Sequence, residues 1–469
     1  VWAQPADIYM SECLGTNAAY YGVLKVMEDM ATVLGKKKDV KKYGQKAEAL
    51  KKAINDNFWV EEDGYYASYL YGRQNLTRTQ QSETLGESFC VLFGIADEER
   101  AAKVISSMPV GEFGPPIFSP QIVSQPDYHN NGVWPYVTSF WGKAAAKVGN
   151  ETALMHALAC NVRTASIYAT NYENYSFNTG NPYTTQINSP NMLWGLSGFM
   201  GLFHRTFFGL EFTKEGLALK PFVPTVLAGT RKLEAFPYRG MKLDITVSGS
   251  GNEIASCLVD GKEAEAFIPA DWTGNHSIEI VMKGEHKPSS VNMVGYIGMP
   301  EVPAVKAEAG KLQWNAISGA AKYWVLKDGQ KVAETTSCSF NTQGDGEYQV
   351  IAVSDKGVRS FNSEPLRVYA DASVQSVAID KWLDKTMGDQ VKVKVNVPAT
   401  GWYIVDWEYA NGNGEVEQRN HCANRLLYVD GKNAGPTVFP QRGLDDWKNY
   451  GWSNPVKVYL KKGSHQIAL

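Results

Sequence analysis

Between Thr16 and about Arg205 the apolar side chains recur every three or four positions, the period of helices that bury one face. In TNAAYYGVLKVMEDMATVLG the pattern predicts that Tyr20, Val23, Leu24, Met27, Met30 and Leu34 share a face, with Thr16 as N-cap. DVKKYGQKAEALKKAINDNFW repeats it with Val40, Tyr43, Ala47, Leu50, Ile54 and Phe58. Further helices are predicted near 82–95, 98–107, 132–148, 150–169 and 190–206, joined by long loops rich in Gly, Pro, Asn and Tyr. Long loops on a helical scaffold are where function concentrates.

From about 208 the period changes to two. MKLDITVSG sets Leu243, Ile245 and Val247 on one face and HSIEIVM does the same with Ile278 and Ile280, so 208–296 reads as an antiparallel β-sandwich. After the linker MPEVPAVKAEAG, the segment 297–370 predicts a small sandwich of about seven short strands. Its hairpin signals are Lys-Asp-Gly at 327–329 and Asp-Lys-Gly at 355–357. Alternation returns in QVKVKVNV, GWYIVDWEYA and PVKVYL, making 371–469 a third β-module, carrying Trp402, Trp407, Trp447 and Trp452. The expectation is a multidomain α plus β chain: residues 1–207 helical, then three β-domains.

Composition narrows the function. The 46 basic and 49 acidic residues of the 469 leave a formal charge of −3 with no long single-sign block, which argues against a nucleic-acid surface or a polybasic membrane anchor. No apolar run is long enough to span a bilayer. The six cysteines are scattered without metal-ligand or disulfide-frame spacing, so neither a metal nor a cofactor is implied. Thirteen Trp and 24 Tyr are many; such rings fill cores, and exposed ones can lie flat against the apolar faces of sugars.

The loop TNYENYSFNTGNPYTTQINSPNMLWGLSGFMGLF isolates one acid, Glu173, among tyrosines and asparagines. Partly desolvated, hydrogen-bonding surroundings of that kind tune a carboxylate for base work. Hydrolysis of a glycosidic bond needs two carboxyl groups, one to protonate the leaving oxygen and one to activate water or attack the sugar. A solvated loop acid is the simpler account of Glu173 taken alone.

Three strings change that balance. Tyr172-Glu173-Asn174-Tyr175, followed by Asn178-Thr179-Gly180 and then Met192-Leu193-Trp194-Gly195, resembles the base-bearing loop of glycoside hydrolase family 63 α-glucosidases and, more loosely, of trehalase. Tyr128-His129-Asn130-Asn131-Gly132-Val133-Trp134-Pro135 is similar to a motif of debranching-type six-hairpin glycosidases, where the Trp-Pro loop lines the sugar site. DVKKYGQKAEALKKAINDNFWVEEDGYY resembles a helix and loop common to that (α/α)6-barrel superfamily.

The resemblance implies an (α/α)6 toroid of which about residues 10–215 form the second half, with Glu173 as general base of an inverting hydrolysis. It also implies that Tyr128, His129, Trp134, Tyr172, Asn191, Trp194 and Glu83 surround the sugar. Core packing is the better account of Trp194 and an equal one of Trp134, and a helix-cap or surface role explains Glu83 and its neighbour Glu87. The general acid of such enzymes is an upstream aspartate. Asp7 is the candidate here, although it lacks the family's Gly-x-Asp context, and the toroid is expected to be completed by a preceding segment or by a second chain.

Residues 297–370 resemble a fibronectin type III domain. Residues 371–469 resemble a galactose-binding-like jelly-roll carbohydrate-binding module, which nominates Tyr409, Asn411 and Trp447 as sugar contacts. The whole reads as an exo-acting α-glycosidase that takes oligosaccharide or polysaccharide substrates in the periplasm, at the cell surface or outside the cell. The alternatives are a non-catalytic carbohydrate-binding or scaffold protein on a degenerate barrel, and a glycoside phosphorylase.

Overall fold

A computed structural model describes residues 11–285, 287–370, 374–379, 391–415 and 422–469. It contains two compact units, one built from Cys13–Ser68 and Gln80–Gly298, the other from Tyr69–Thr79 and Met299–Leu469.

Seven α-helices are present among the described residues, all in the first unit: α1 (Leu14–Val33), α2 (Lys37–Phe58), α3 (Thr84–Leu92), α4 (Glu98–Ser107), α5 (Pro135–Lys147), α6 (Glu151–Tyr168) and α7 (Leu193–Thr206). The period of α2 predicts its buried side chains Ala47, Ile54 and Phe58. In α1 the expected face is wrong. Leu14, Ala18, Tyr21, Leu24 and Ala31 are buried, while Tyr20, Val23, Met30 and Leu34 are more than half exposed. Two apolar stripes share this helix, and the one with the small alanines packs against α2 and α3, because small side chains let helix axes approach closely. No described helix is long and apolar enough to cross a membrane.

Two-residue strands stitch the helix starts together. β1 (Ser82–Glu83) pairs with β2 (Phe118–Ser119), and the neighbouring Ile117 amide donates to the Gly132 carbonyl at 2.8 Å. Gly132 opens β3 (Gly132–Val133), which pairs antiparallel with β4 (Tyr175–Ser176). This ribbon ties the starts of α3 and α5 to the loop that follows α6.

Glu83 ends β1 and caps α3, its two carboxylate oxygens accepting from the Leu85 and Gly86 amides at 2.9 and 2.6 Å. Gly15 and Gly86 press their bare Cα atoms toward this carboxyl, and a Cβ at Gly86 would sit 2.5 Å from Glu83 Oε2. Part of the side chain still reaches solvent, but burial of its carboxyl end raises the pKa to about 7 against the pull of the two amides. One turn on, Glu87 is fully buried; its Oε1 accepts from the Tyr66 amide at 2.9 Å and its Oε2 has no partner among the described residues. Burial raises its pKa far more, and the Glu83 charge adds to the rise.

The β-domain of this unit is a five-stranded sheet and a three-stranded one around Leu243, Ile245, Val247, Ile278 and Ile280, the positions the alternation selects. It departs from an all-antiparallel plan. β5 (Met241–Gly249) runs parallel to β6 (Gly274–Lys283), in register from Met241↔Gly274 to Ser248↔Val281. The intervening strand Glu253–Val259 turns back and pairs with the far edge of β6, and this reversal brings β6 alongside β5 in the same direction. Alternation fixes which side chains face the core, not which way a neighbour runs.

In the second unit, residues 306–368 form a three-stranded and a four-stranded sheet over Leu312, Trp314, Tyr323, Val325, Tyr348 and Val350. The Lys327–Gln330 hairpin turns through Asp328 and Gly329, both with positive φ, as a type I′ turn requires. The described residues of 391–469 add a four-stranded sheet and three two-stranded ladders, with Leu427, Val458 and Ile467 in their core.

The segment Tyr69–Thr79, flanked in sequence by helices, folds with these β-domains. Its Arg73 is buried: Nε donates to Glu347 at 2.7 Å, and one terminal nitrogen donates to Asp406 at 2.8 Å and to the Ser453 carbonyl at 3.1 Å. The Gln74 amide donates to the second Glu347 oxygen, and Tyr71 stacks on Phe361.

Removing one partner from a buried ion network strands the others, at a cost of about 3–5 kcal/mol. Arg73→Ala is therefore expected to lower urea stability by that amount and to speed hydrogen exchange in 346–353 while leaving α5 and α6 protected. A second expectation concerns the glutamates. Both bind a proton more tightly folded than unfolded, so their contribution is complete below the ordinary value of 4.5 and is lost as pH rises through about 7 for Glu83. The melting temperature should fall between about pH 5 and about pH 8, and Glu87→Gln should flatten that fall; parallel curves for the two proteins would contradict it.

Candidate active site

Helix α6 stops at Ala169, whose left-handed φ of 53° turns the chain into the loop that carries Glu173. Polar side chains hold this loop. The Thr170 hydroxyl donates to Asn191 Oδ1 at 2.8 Å, and the Met192 amide donates to the Asn171 carbonyl at 2.9 Å, so the loop closes where α7 begins. Asn188 is the internal hub: its side-chain nitrogen donates to the Asn174 and Pro182 carbonyls at 2.7 and 2.8 Å, and its oxygen accepts from the Asn174 and Ser189 amides. The Glu173 amide donates to the Ser189 carbonyl at 3.0 Å. The backbone that bears the acid is thus fixed from both sides.

The other motif arrives through β3 and β4, paired as Gly132↔Ser176 and Val133↔Tyr175. Asp127 crosses between them, its carboxylate accepting from Asn131 Nδ2 at 2.7 Å and from the Ser176 hydroxyl at 2.6 Å. Its carbonyl accepts from the Gln186 amide. Position 132 must be glycine, since a Cβ there would overlap the Tyr128 carbonyl. That carbonyl accepts from Trp134 Nε1 at 3.0 Å, which curls the Tyr128–Trp134 loop into a tight unit.

The pairing brings Tyr128 onto Glu173. Burial raises the Tyr128 pKa, and the neighbouring Glu173 carboxylate raises it further. Rings continue from there. His129 stacks on Trp134 at 5.1 Å between centroids, Trp134 meets the edge of Trp194 at 5.3 Å, and Trp194 stacks on Tyr136 at 4.9 Å. His129 is still open to solvent on one side, but packing against two rings desolvates the imidazole and lowers its pKa, so it is neutral at pH 7. On the other flank Tyr172 donates its hydroxyl to Tyr183, and both pack on Tyr168.

The structure therefore gathers Tyr128, His129, Trp134, Trp194, Tyr172 and Glu173 within one interlocked loop pair. Trp134 is buried, whereas Trp194 keeps an exposed edge. Asn191 is exposed, with its amide oxygen engaged by Thr170. Glu83 lies on the same strand ribbon, three pairings away, with both oxygens committed to the start of α3. Asp7 lies outside the described residues. In the C-terminal module Tyr409 is packed on Phe439 and donates to the Pro440 carbonyl, and Asn411 is buried with its side chain on the Phe439 carbonyl. Trp447 lies flat over Gly412. Asp127, Tyr136 and Asn188 escaped the sequence reading; Asp127 directly precedes the Tyr-His motif, the one local signal that points to it. Among the described residues no three His, Cys, Asp or Glu side chains are grouped to hold a metal.

Comparison with known proteins bears on this geometry. Residues 4–194 match the family model described as the mannosylglycerate hydrolase MGH1-like glycoside hydrolase domain. No curated protein matches the chain. Similar solved structures include a sialidase, 16% identical with a TM-score of 0.45, covering 55% of this chain and 26% of its own. A cycloisomaltooligosaccharide glucanotransferase of a Paenibacillus species, complexed with cycloisomaltoheptaose, is 20% identical with a TM-score of 0.14 over 32% of this chain and 14% of its own. A family 35 carbohydrate-binding module from Clostridium thermocellum is 19% identical with a TM-score of 0.14 over 17% of this chain and 56% of its own. The chain spans at most 56% of the length of these structures. By the match over residues 4–194, the protein carries a glycoside hydrolase domain.

Proposed function

We propose that the protein is an inverting, exo-acting α-glycosidase in which Glu173 is the general base. The observation that carries this reading is the β3–β4 pairing, which joins the loop bearing Glu173, its amide held on the Ser189 carbonyl, to the ring cluster of Tyr128, His129, Trp134 and Trp194. A base must be aimed before it is useful, and here the backbone that bears Glu173 is held on the Ser189 carbonyl with Tyr128 beside the acid.

In the proposed reaction Glu173 takes a proton from water. The water oxygen forms its bond to the anomeric carbon from the face opposite the departing oxygen, whose bond to that carbon breaks as an acid protonates it. The two carboxyl groups of an inverting pair stand about 6.5–9.5 Å apart to admit that water. Asp7 is retained as proposed proton donor on the sequence resemblance alone; Glu83 suits the role poorly because both its oxygens cap a helix. Neutral His129 and the edge of Trp194 would contact hydroxyls and ring faces of the sugar. The helices are read as hairpins of an (α/α)6 toroid, and action on external glycans in the periplasm or at the cell surface fits the accessory β-modules. The domain match favours this enzyme over a scaffold protein. Phosphate-dependent turnover would instead mark a phosphorylase.

The test is turnover of α-linked di- and oligosaccharides, with mannosylglycerate included because the matching domain's description names it, followed by NMR of the product anomer. Glu173→Gln should lose at least about a thousandfold in kcat, and the wild type should release the inverted anomer; unchanged turnover in the variant would move the base elsewhere. Tyr128→Phe keeps the ring and deletes the hydroxyl beside Glu173. It is expected to lower kcat about tenfold with KM nearly unchanged, as for a contact that orients a base rather than holds substrate.

A further inference from the structure

The C-terminal module has a face that its buried Tyr409 and Asn411 do not explain. β7 (Gly401–Val405) pairs antiparallel with β8 (Val456–Leu460), setting Trp402 directly opposite Tyr459 and Ile404 opposite Lys457. All four side chains point away from the core; Val456, Val458 and Leu460 between them point inward. Trp402 is 64% exposed, the most exposed tryptophan among the described residues, and Tyr459 is 57% exposed. Their rings meet at 71° with centroids 5.3 Å apart, forming a corner rather than a flat sheet. The Lys457 ammonium stands 5.2 Å from the centre of the indole. No carboxylate shares the outward positions of this ladder, so the face carries one net positive charge.

We infer that this corner is a carbohydrate-binding site for the pyranose rings of a polysaccharide, separate from the candidate active site. The chemistry fits that occupant. One face of a pyranose presents C–H bonds with partial positive charge, and the negative face of an indole attracts them as it attracts a cation. Tyr459 adds a hydroxyl at the edge of the seat, and Lys457 adds three donors that suit ring hydroxyls and a uronate carboxylate alike. A protein partner fits worse. Specific interfaces bury about 800 Å² per side around a charge-depleted core, whereas this patch is four side chains with a lysine among them. The exposed rings therefore favour a glycan chain, and Lys457 favours an acidic one.

The experiment is native gel electrophoresis of the whole protein through gels containing dextran, yeast mannan or polygalacturonate, run in the Glu173→Gln background so that cleavage plays no part. Retardation is expected in at least one gel, strongest with polygalacturonate. Trp402→Ala should weaken it about tenfold or more, the factor that corresponds to about 1.4 kcal/mol of lost stacking; Trp402→Phe should retain part of it, and Lys457→Ala should weaken only the polygalacturonate effect. Trp402 is exposed, so its variants should keep the wild-type melting temperature. Free migration of the parent protein in every gel would overturn the inference, as would equal retardation of parent and Trp402→Ala. A change in sedimentation coefficient in Trp402→Ala without a change in retardation would assign the face to self-association instead. Turnover of short oligosaccharides by Trp402→Ala with Glu173 intact should match wild type, so failure here and failure of the Glu173 assignment are read separately.

Discussion

Everything at the candidate site depends on one pairing of two residues with two. β3 and β4 are too short to be stable alone, yet their pairing decides that the Tyr128–Trp134 loop and the Glu173 loop lie side by side. The ladder survives because it is bracketed by Asp127, bonded to Asn131 just before β3 and to Ser176 on β4, and by the Phe177 amide on the Asn131 carbonyl. A one-residue slip would turn each side chain to the opposite face and part the acid from its phenol. Gly132 is where this constraint reaches the sequence most sharply, since any side chain there would open the loop.

The buried charges separate into two physical kinds. Arg73, Glu347 and Asp406 are desolvated together and compensate one another, so each depends on the others. Glu83 and Glu87 are desolvated without a cation and answer by holding protons. The first kind stiffens a unit, whereas the second makes the start of α3 sensitive to the medium.

Much of this was readable in the chain. The period of 3.6 located seven helices, and alternation chose the inward positions of β5 and β6, because both follow from burial of one face. The face of α1 was misread because two apolar stripes compete there and only packing selects between them. The parallel β5–β6 pair carried no local mark. At the site, the Tyr-Glu-Asn-Tyr and Tyr-His-Asn-Asn strings announced themselves, whereas Asn188 was one amide in a run of polar residues. Its importance comes from hydrogen bonds to Asn174, Pro182, Thr185 and Ser189 that the folded loop assembles.

The hairpin Tyr69–Thr79 has a further bearing, on how the chain comes to be folded. Arg73 finds Glu347 274 positions later and Asp406 333 positions later. On a chain made from the N-terminus, this segment emerges with the helices and must wait, its guanidinium hydrated, until Glu347 and Asp406 have followed. The β-domains are thus discontinuous in sequence, and cutting the chain at the 298/299 boundary would separate them from a strand pair and a cation that their interior requires. These β-domains are completed by residues synthesised long before their own first strand.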